Sequence, residues 1–200
     1  MKSIQRLLAL SVAYMLVTTA QAGNFRTVVI DAGHGGQDNG AQWGQVYEKH
    51  LALDTATRLE INLKKMGYQT VMTRRSDYFI TLPQRVNIGN SYKNAIFVCM
   101  HFNYTWKKDV SGLETFYYSS DGQRLAQCVQ NSLMRRTRAV NRDAKFARFY
   151  VLRYSTLPAI LVEGGFVSNE NERNRIKSGA FRESIAQSVA EGIQRYQIGF

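Results

Sequence analysis

The segment at residues 28–36, with the sequence VVIDAGHGG, constrains the fold more than any other part of the chain. Its β-branched residues predict a buried strand, and the glycines that follow predict a tight turn. The turn presents His34 at the carboxyl end of a strand, where open α/β sheets place their functional sites. Two later apolar runs end in the same way: 95–100 is followed by His101 and 159–162 by Glu163. The sequence therefore predicts that three titratable side chains share one edge of a sheet.

Helical patterns alternate with these strands along the chain. Apolar residues spaced by three and four predict an amphipathic helix over 49–66, which Gly67 is placed to end. Further helices are predicted at 123–137, at 181–196 and directly after Thr81, and further strands at 68–73 and 113–118. This alternation predicts a single α/β domain. Its mostly parallel, twisted sheet is covered by helices on both faces, and the site lies at the carboxyl ends of the strands.

The first 22 residues have the pattern of a cleaved signal peptide. Lys2 and Arg6 precede a mostly apolar run, and Ala20 and Ala22 give the small-x-small form of a cleavage site. The apolar run is too short for a comfortable membrane span, so an uncleaved anchor is the less favoured interpretation. We therefore expect a signal peptide at 1–22, one domain at 23–200 and no stable membrane span after cleavage. Export to the periplasm is favoured over secretion or association with the cell wall.

The chain is basic, with a formal net charge of +11 over 200 residues. Basic proteins often bind polyanions, but export makes nucleic acid a poor candidate and favours anionic polymers of the cell envelope or membrane surfaces. A solvated basic surface without a dedicated partner is the alternative. Cys99 lies in an apolar run and is predicted to be a small buried side chain. A disulfide with Cys128 is less favoured, because spacing alone cannot establish pairing geometry.

Glu48 adds a further carboxylate to the predicted edge, because it stands at the mouth of the first helix. Two histidines and one glutamate form a ligand set that suits zinc and leaves a fourth position for water. The remaining glutamate would then be free to act as a general base. Each residue also has a structural interpretation, as a hydrogen-bonded histidine, a carboxylate that complements the helix dipole, or a carboxylate in a turn. Spacing alone leaves these alternatives open.

The sequence DAGHGGQDNGA at 31–41 resembles the opening motif of the zinc-dependent N-acetylmuramoyl-L-alanine amidases, the cell-wall hydrolases of the amidase-3 family. The similarity continues, in order, over nearly all of residues 26–176. Its later motifs are EK at 48–49, TR at 73–74, Leu82 with Arg85, HFN at 101–103, GLE at 112–114, VLR at 151–153 and PAILVEGGFVSN at 158–169. The chain departs from the family pattern at Asn39, which replaces a common proline, and at Phe102, which would place a bulky ring beside a ligand and affect the fit of the substrate.

The resemblance implies one zinc ion held by His34, Glu48 and His101, with Glu163 as the catalytic carboxylate. It implies hydrolysis of the amide bond between N-acetylmuramic acid and L-alanine in peptidoglycan. This reaction frees stem peptides from the glycan during wall remodelling or daughter-cell separation. Residues 23–200 would then be the amidase catalytic domain, with peptidoglycan as its partner. The alternatives are a zinc peptidase that cuts within stem peptides and an inactive wall-binding module.

Other residues carry expectations of their own. Asp31 is expected to orient His34 or to shape the turn, and Asn103 to bind substrate or to shape its loop. The basic cluster at 135–153, which includes Arg153, is expected to meet stem-peptide carboxylates or to remain a solvated face. Between Glu114 and Glu163 the chain has no further glutamate that could plug the site. We therefore expect the protein to work without an activator protein. We also expect a monomer.

Overall fold

The computed structural model describes residues 24–199 and is built around a central sheet. The strands are β1 (Thr27–Ala32), β2 (Gln42–Trp43), β3 (Val46–Tyr47), β4 (Gln69–Met72), β5 (Ala95–Asn103), β6 (Leu113–Tyr117), β7 (Asn141–Phe146) and β8 (Ala159–Phe166). Six of them form the main sheet, in the order β4-β1-β5-β8-β6-β7, while β2 and β3 form a separate hairpin. Strands β4, β1, β5 and β8 are parallel, so their carboxyl ends share one edge. Strand β6 runs antiparallel to β8, and β7 is parallel to β6.

Helices cover both faces of the sheet, as predicted. They are α1 (Glu48–Lys65), α2 (Leu82–Asn90), α3 (Ser120–Thr137), α4 (Tyr150–Arg153), α5 (Glu170–Lys177) and α6 (Gly179–Ile198). On one face, α1, α3 and α6 pack on alternate strand residues such as Ile30 and Val98. On the other, α2 and α4 pack on the intervening residues, including Val29 and Phe97. Because strand side chains alternate, one buried strand serves both cores.

The predicted elements lie close to their observed positions. Helix α1 begins one residue earlier than the predicted 49–66, and Gly67 follows its end with a φ of 88°. Thr81 caps α2 by accepting a hydrogen bond from the backbone of Gln84. Strand β5 is longer than predicted and contains His101 rather than ending before it. Strand β7 and helices α4 and α5 were not predicted, because their sequences are short or strongly polar.

The predicted signal peptide at 1–22 lies outside the described residues. Among helices of residues 24–199, none is both long and apolar enough to cross a membrane. Cys99 is a fully buried free thiol in β5, as predicted, so it forms no disulfide.

Candidate active site

The glycine-rich turn after β1 brings two histidines together. His34 occupies the left-handed region with a φ of 59°, and the glycines on its carboxyl side, Gly35 and Gly36, have φ values of 130° and 59°. A Cβ atom at Gly33 would lie 2.3 Å from Cε1 of His101, so any larger residue there would displace the ring. The glycines therefore allow the turn to lie against the end of β5 and to hold His34 beside His101.

His34, Glu48 and His101 form a cluster that could hold a metal ion, because one ligand atom from each lies within 4.8 Å of the others. Oε1 of Glu48 is 3.1 Å from Nε2 of His34 and 2.8 Å from Nδ1 of His101. Burial opposes the charged form of Glu48, but hydrogen bonds from both histidines outweigh it and hold the pKa of this carboxyl well below its usual range. An anionic carboxylate and two imidazoles facing one point fit a divalent metal ion.

Asp38, which the sequence analysis did not single out, makes the polar contact that orients His34. Nδ1 of His34 lies 2.8 Å from Oδ2 of Asp38, which leaves Nε2 facing Glu48. Asp31, which was expected to orient this ring or to shape the turn, accepts hydrogen bonds from Thr73 and Arg85 and not from His34. The signal that could have identified Asp38 is its position four residues after His34 in the same turn. A carboxylate on the second nitrogen of a ligating histidine fixes the tautomer and raises its basicity.

Two buried arginines hold the backbone of the turn. Arg74, which is 0% exposed, donates a hydrogen bond of 2.7 Å to the carbonyl of Gly33. Arg85 donates to the carbonyl of His34 at 2.7 Å and to the carboxylate of Asp31 at 2.8 Å. Asp31 thus acts on the turn through Arg85. Since the turn carries one histidine of the cluster, these contacts also position that histidine.

Glu163 lies in β8 at the same sheet edge, in register with His101 of β5 and Glu114 of β6. It lines the cavity described below, and its Oε2 atom is buried without a hydrogen-bond partner within the described residues. Burial, reinforced by the charges of Glu48 and Glu114, raises the pKa of Glu163 well above its usual value. A carboxyl with a raised pKa and an unoccupied oxygen is suited to accept and return a proton.

Asn103 and Arg153 differ in their relation to this site. Asn103 ends β5, lines the cavity and donates a hydrogen bond of 2.7 Å to Glu114. Arg153 is exposed at the end of α4, and its guanidinium lies 5.3 Å from the ring centre of Tyr154. It is not one of the residues in 24–199 that line the cavity. The structure therefore brings Asn103 to the site and leaves Arg153 outside it.

The ring of Phe102 is 1% exposed and belongs to the core beneath α6. It packs so closely on Gly164 that a Cβ atom there would lie 2.8 Å from the ring. The residue contributes to the lining of the cavity, although almost none of its side chain is exposed. The departure from the family pattern thus alters the core beneath His101 more than the surface that a substrate would meet.

A cavity of about 500 Å³ opens above the cluster and above Glu163. Its rim carries partly exposed aromatic residues from three separate segments, namely Phe79, Tyr104, Phe149 and Tyr150. Buried titratable side chains and buried apolar side chains line the cavity together, which is typical of sites that orient a substrate with few polar groups.

The basic cluster at 135–153 does not form one patch. Arg136 of α3 pairs with Glu191 of α6. Arg142 and Lys145 instead contact one oxygen of Glu114, at 3.2 and 2.6 Å. The two groups of cations therefore lie on different faces of the sheet.

Comparison with known proteins gives consistent matches over almost the whole described chain. Residues 28–195 match a family model described as N-acetylmuramoyl-L-alanine amidase. The uncharacterised protein YqiI of Bacillus subtilis is 33% identical over 98% of both chains. The amidase LytC of the same organism is 33% identical over 85% of this chain, which spans only 35% of LytC. The solved catalytic domain of the amidase CwlV from Paenibacillus polymyxa has a TM-score of 0.84 and 34% identity, covering 88% of this chain and 100% of that one.

Proposed function

Because the chain belongs to the N-acetylmuramoyl-L-alanine amidase family, we propose that it is a zinc enzyme in which Glu163 is the catalytic carboxylate. The family's activity is hydrolysis of the amide bond that joins the stem peptide to N-acetylmuramic acid in peptidoglycan. The observation that carries the residue assignment is the convergence of His34, Glu48 and His101 on one point, with Glu163 beside them at the same sheet edge.

The donor set of the cluster supports zinc as the metal. Two imidazole nitrogens and one carboxylate oxygen are a common set for catalytic zinc, with one position left open to water or substrate. His34 and His101 supply the nitrogens, and Glu48 supplies the carboxylate. When bound, a zinc ion would polarise the scissile carbonyl and lower the pKa of water in the site.

The protein's own residues would handle the proton. In this proposal, Glu163 takes a proton from the attacking water and gives it to the nitrogen of the departing L-alanine. The atom available for this transfer is Oε2, which has no hydrogen-bond partner elsewhere in residues 24–199. Burial keeps the carboxylate poorly solvated, which raises its pKa and makes it a stronger base than an exposed glutamate.

The site of action is the cell wall, so the protein works outside the cytoplasm, and the proposed compartment is the periplasm. An activator is not expected to be required. The helix that could have served as a plug, α3, is part of the core, since Leu125, Val129 and Leu133 on it are fully buried. A monomeric state and a role in daughter-cell separation stay predictions.

Mass spectrometry of digested sacculi tests the proposed bond. Intact stem peptides with a free L-alanine amine, together with peptide-free glycan, are expected from residues 23–200 loaded with zinc. The matched control is Glu163→Gln, which should release little of either product because an amide cannot accept the proton. Fragments cut within the stem would instead identify a peptidase and overturn the assignment.

A further inference from the structure

Glu114 is a buried carboxylate that holds two cations. It is 3% exposed, and its Oε2 accepts hydrogen bonds from Lys145 at 2.6 Å and from Arg142 at 3.2 Å. Its Oε1 accepts from Asn103 at 2.7 Å. One carboxylate therefore faces two positive charges, and it can neutralise only one of them.

The neighbouring acid does not remove this excess. Glu172 lies close to Arg142, but it also faces Arg175 and accepts hydrogen bonds from the backbone amides of Gly112 and Phe166. Glu114 and Glu172 together therefore face three cations, and Glu163, whose pKa is raised in part by the charge of Glu114, is the third acid beside them.

The cations lie beside the candidate active site. Glu114 and Glu163 are opposite each other on adjacent antiparallel strands, so their side chains project from the same face. Asn103, which contacts Glu114, lines the cavity. The side chains of Lys145 and Arg142 are 39% and 32% exposed, so both can be reached by a ligand. Glu114 and its two cations are not among the described residues that line the cavity, but they lie directly beside it, next to Asn103 and Glu163.

We propose that Arg142 and Lys145 form a subsite for a carboxylate of the stem peptide, and that Glu114 holds both cations in place before substrate binds. This inference rests on the proposed function. The substrate of that function contains the stem peptide, and the stem peptide carries free carboxylates. An extended peptide advances about 3.3–3.6 Å per residue, and β7 lies two strand spacings, about 10 Å, from β8. The carboxylate that fits is therefore on the second or third residue from the scissile amide.

The experiment compares two soluble muramoyl peptides that differ only at that carboxylate, which is free in one and amidated in the other. Binding is measured by calorimetry in the zinc-loaded Glu163→Gln background, where no turnover occurs, and kcat/KM is measured in the parent. We expect the parent to favour the free carboxylate about tenfold in both readouts. A charge-assisted hydrogen bond to a partly exposed cation changes a binding constant by about that factor.

Lys145→Gln and Arg142→Gln should each reduce this preference, and the double variant should abolish it. Arg148→Gln is the matched control, since Arg148 is an exposed cation in the same segment and outside the Glu114 cluster. The subsite would be overturned if the parent showed no preference for the free carboxylate or if Lys145→Gln kept the full preference. It would also be overturned if Arg148→Gln lost as much of that preference as Lys145→Gln. If neither peptide is hydrolysed by the parent, the proposed function fails, while the binding comparison still decides the subsite.

Discussion

Replacing Asp38 with asparagine is expected to weaken zinc binding about tenfold while leaving the fold intact. The carboxylate lies 2.8 Å from Nδ1 of His34, so its charge fixes the ring with Nε2 directed at Glu48. Asparagine keeps the size of the side chain but removes the charge. His34 then becomes a weaker ligand and is free to adopt the other tautomer.

The magnitude follows from the exposure of the pair. Carboxylates that support a ligating histidine contribute about 10- to 100-fold to metal affinity. The side chain of Asp38 is 42% exposed, so water screens part of its charge and the effect belongs at the lower end of that range. A tenfold loss corresponds to about 1.4 kcal/mol of binding free energy.

The assay is competition for zinc with a chromogenic chelator at fixed pH, accompanied by thermal unfolding of the metal-free protein. The control is Asp121→Asn, which removes an exposed carboxylate, 57% accessible, from a surface pair with Arg124. A zinc affinity of Asp38→Asn equal to that of the parent would refute the orienting role. A large drop in the unfolding temperature of the metal-free variant would show that Asp38 acts on the fold instead.

Four further predictions concern the site and its accessibility to substrate. Glu163→Gln should keep zinc, measured by elemental analysis, and lose most of its kcat; near-parental turnover would exclude the general-base role. In the parent, kcat should fall as the pH falls through the raised pKa of Glu163, because protonation removes the base, and a profile without this limb would contradict the assignment. Gly33→Ala should lower zinc affinity, since the added Cβ would meet the His101 ring at 2.3 Å, and unchanged affinity would show that the turn can shift. Residues 23–200 should release dye from labelled sacculi without an added protein; negligible release alone with strong release on adding envelope extract would reveal a gate.

Much of the site's framework follows from local sequence. Buried strands are short apolar runs, and parallel strands joined by helices must end at one edge, so the runs before His101 and Glu163 and the strand before His34 predict their common location. The helix over 49–66 and the cap at Thr81 also depend on neighbours within a few residues, and both were predicted correctly. The family resemblance added roles that spacing alone had left open.

Other features depend on contacts between distant parts of the chain, and only the tertiary structure decided them. Strand β7 is polar because it lies at the edge of the sheet, so its sequence lacks the apolar pattern of a buried strand. Asp38 rather than Asp31 contacts His34, because Asp38 lies in the turn with the ring, whereas Asp31 lies in β1 and contacts Arg85.

The basic residues at 135–153 look alike in sequence, yet β7 sends Arg142 and Lys145 to Glu114 while α3 directs Arg136 to Glu191. Charge counts alone cannot separate them, because strand pairing and register determine which cations lie beside Glu163. A residue's type sets the chemistry it can perform, and the three-dimensional arrangement of the chain sets the partner on which it acts.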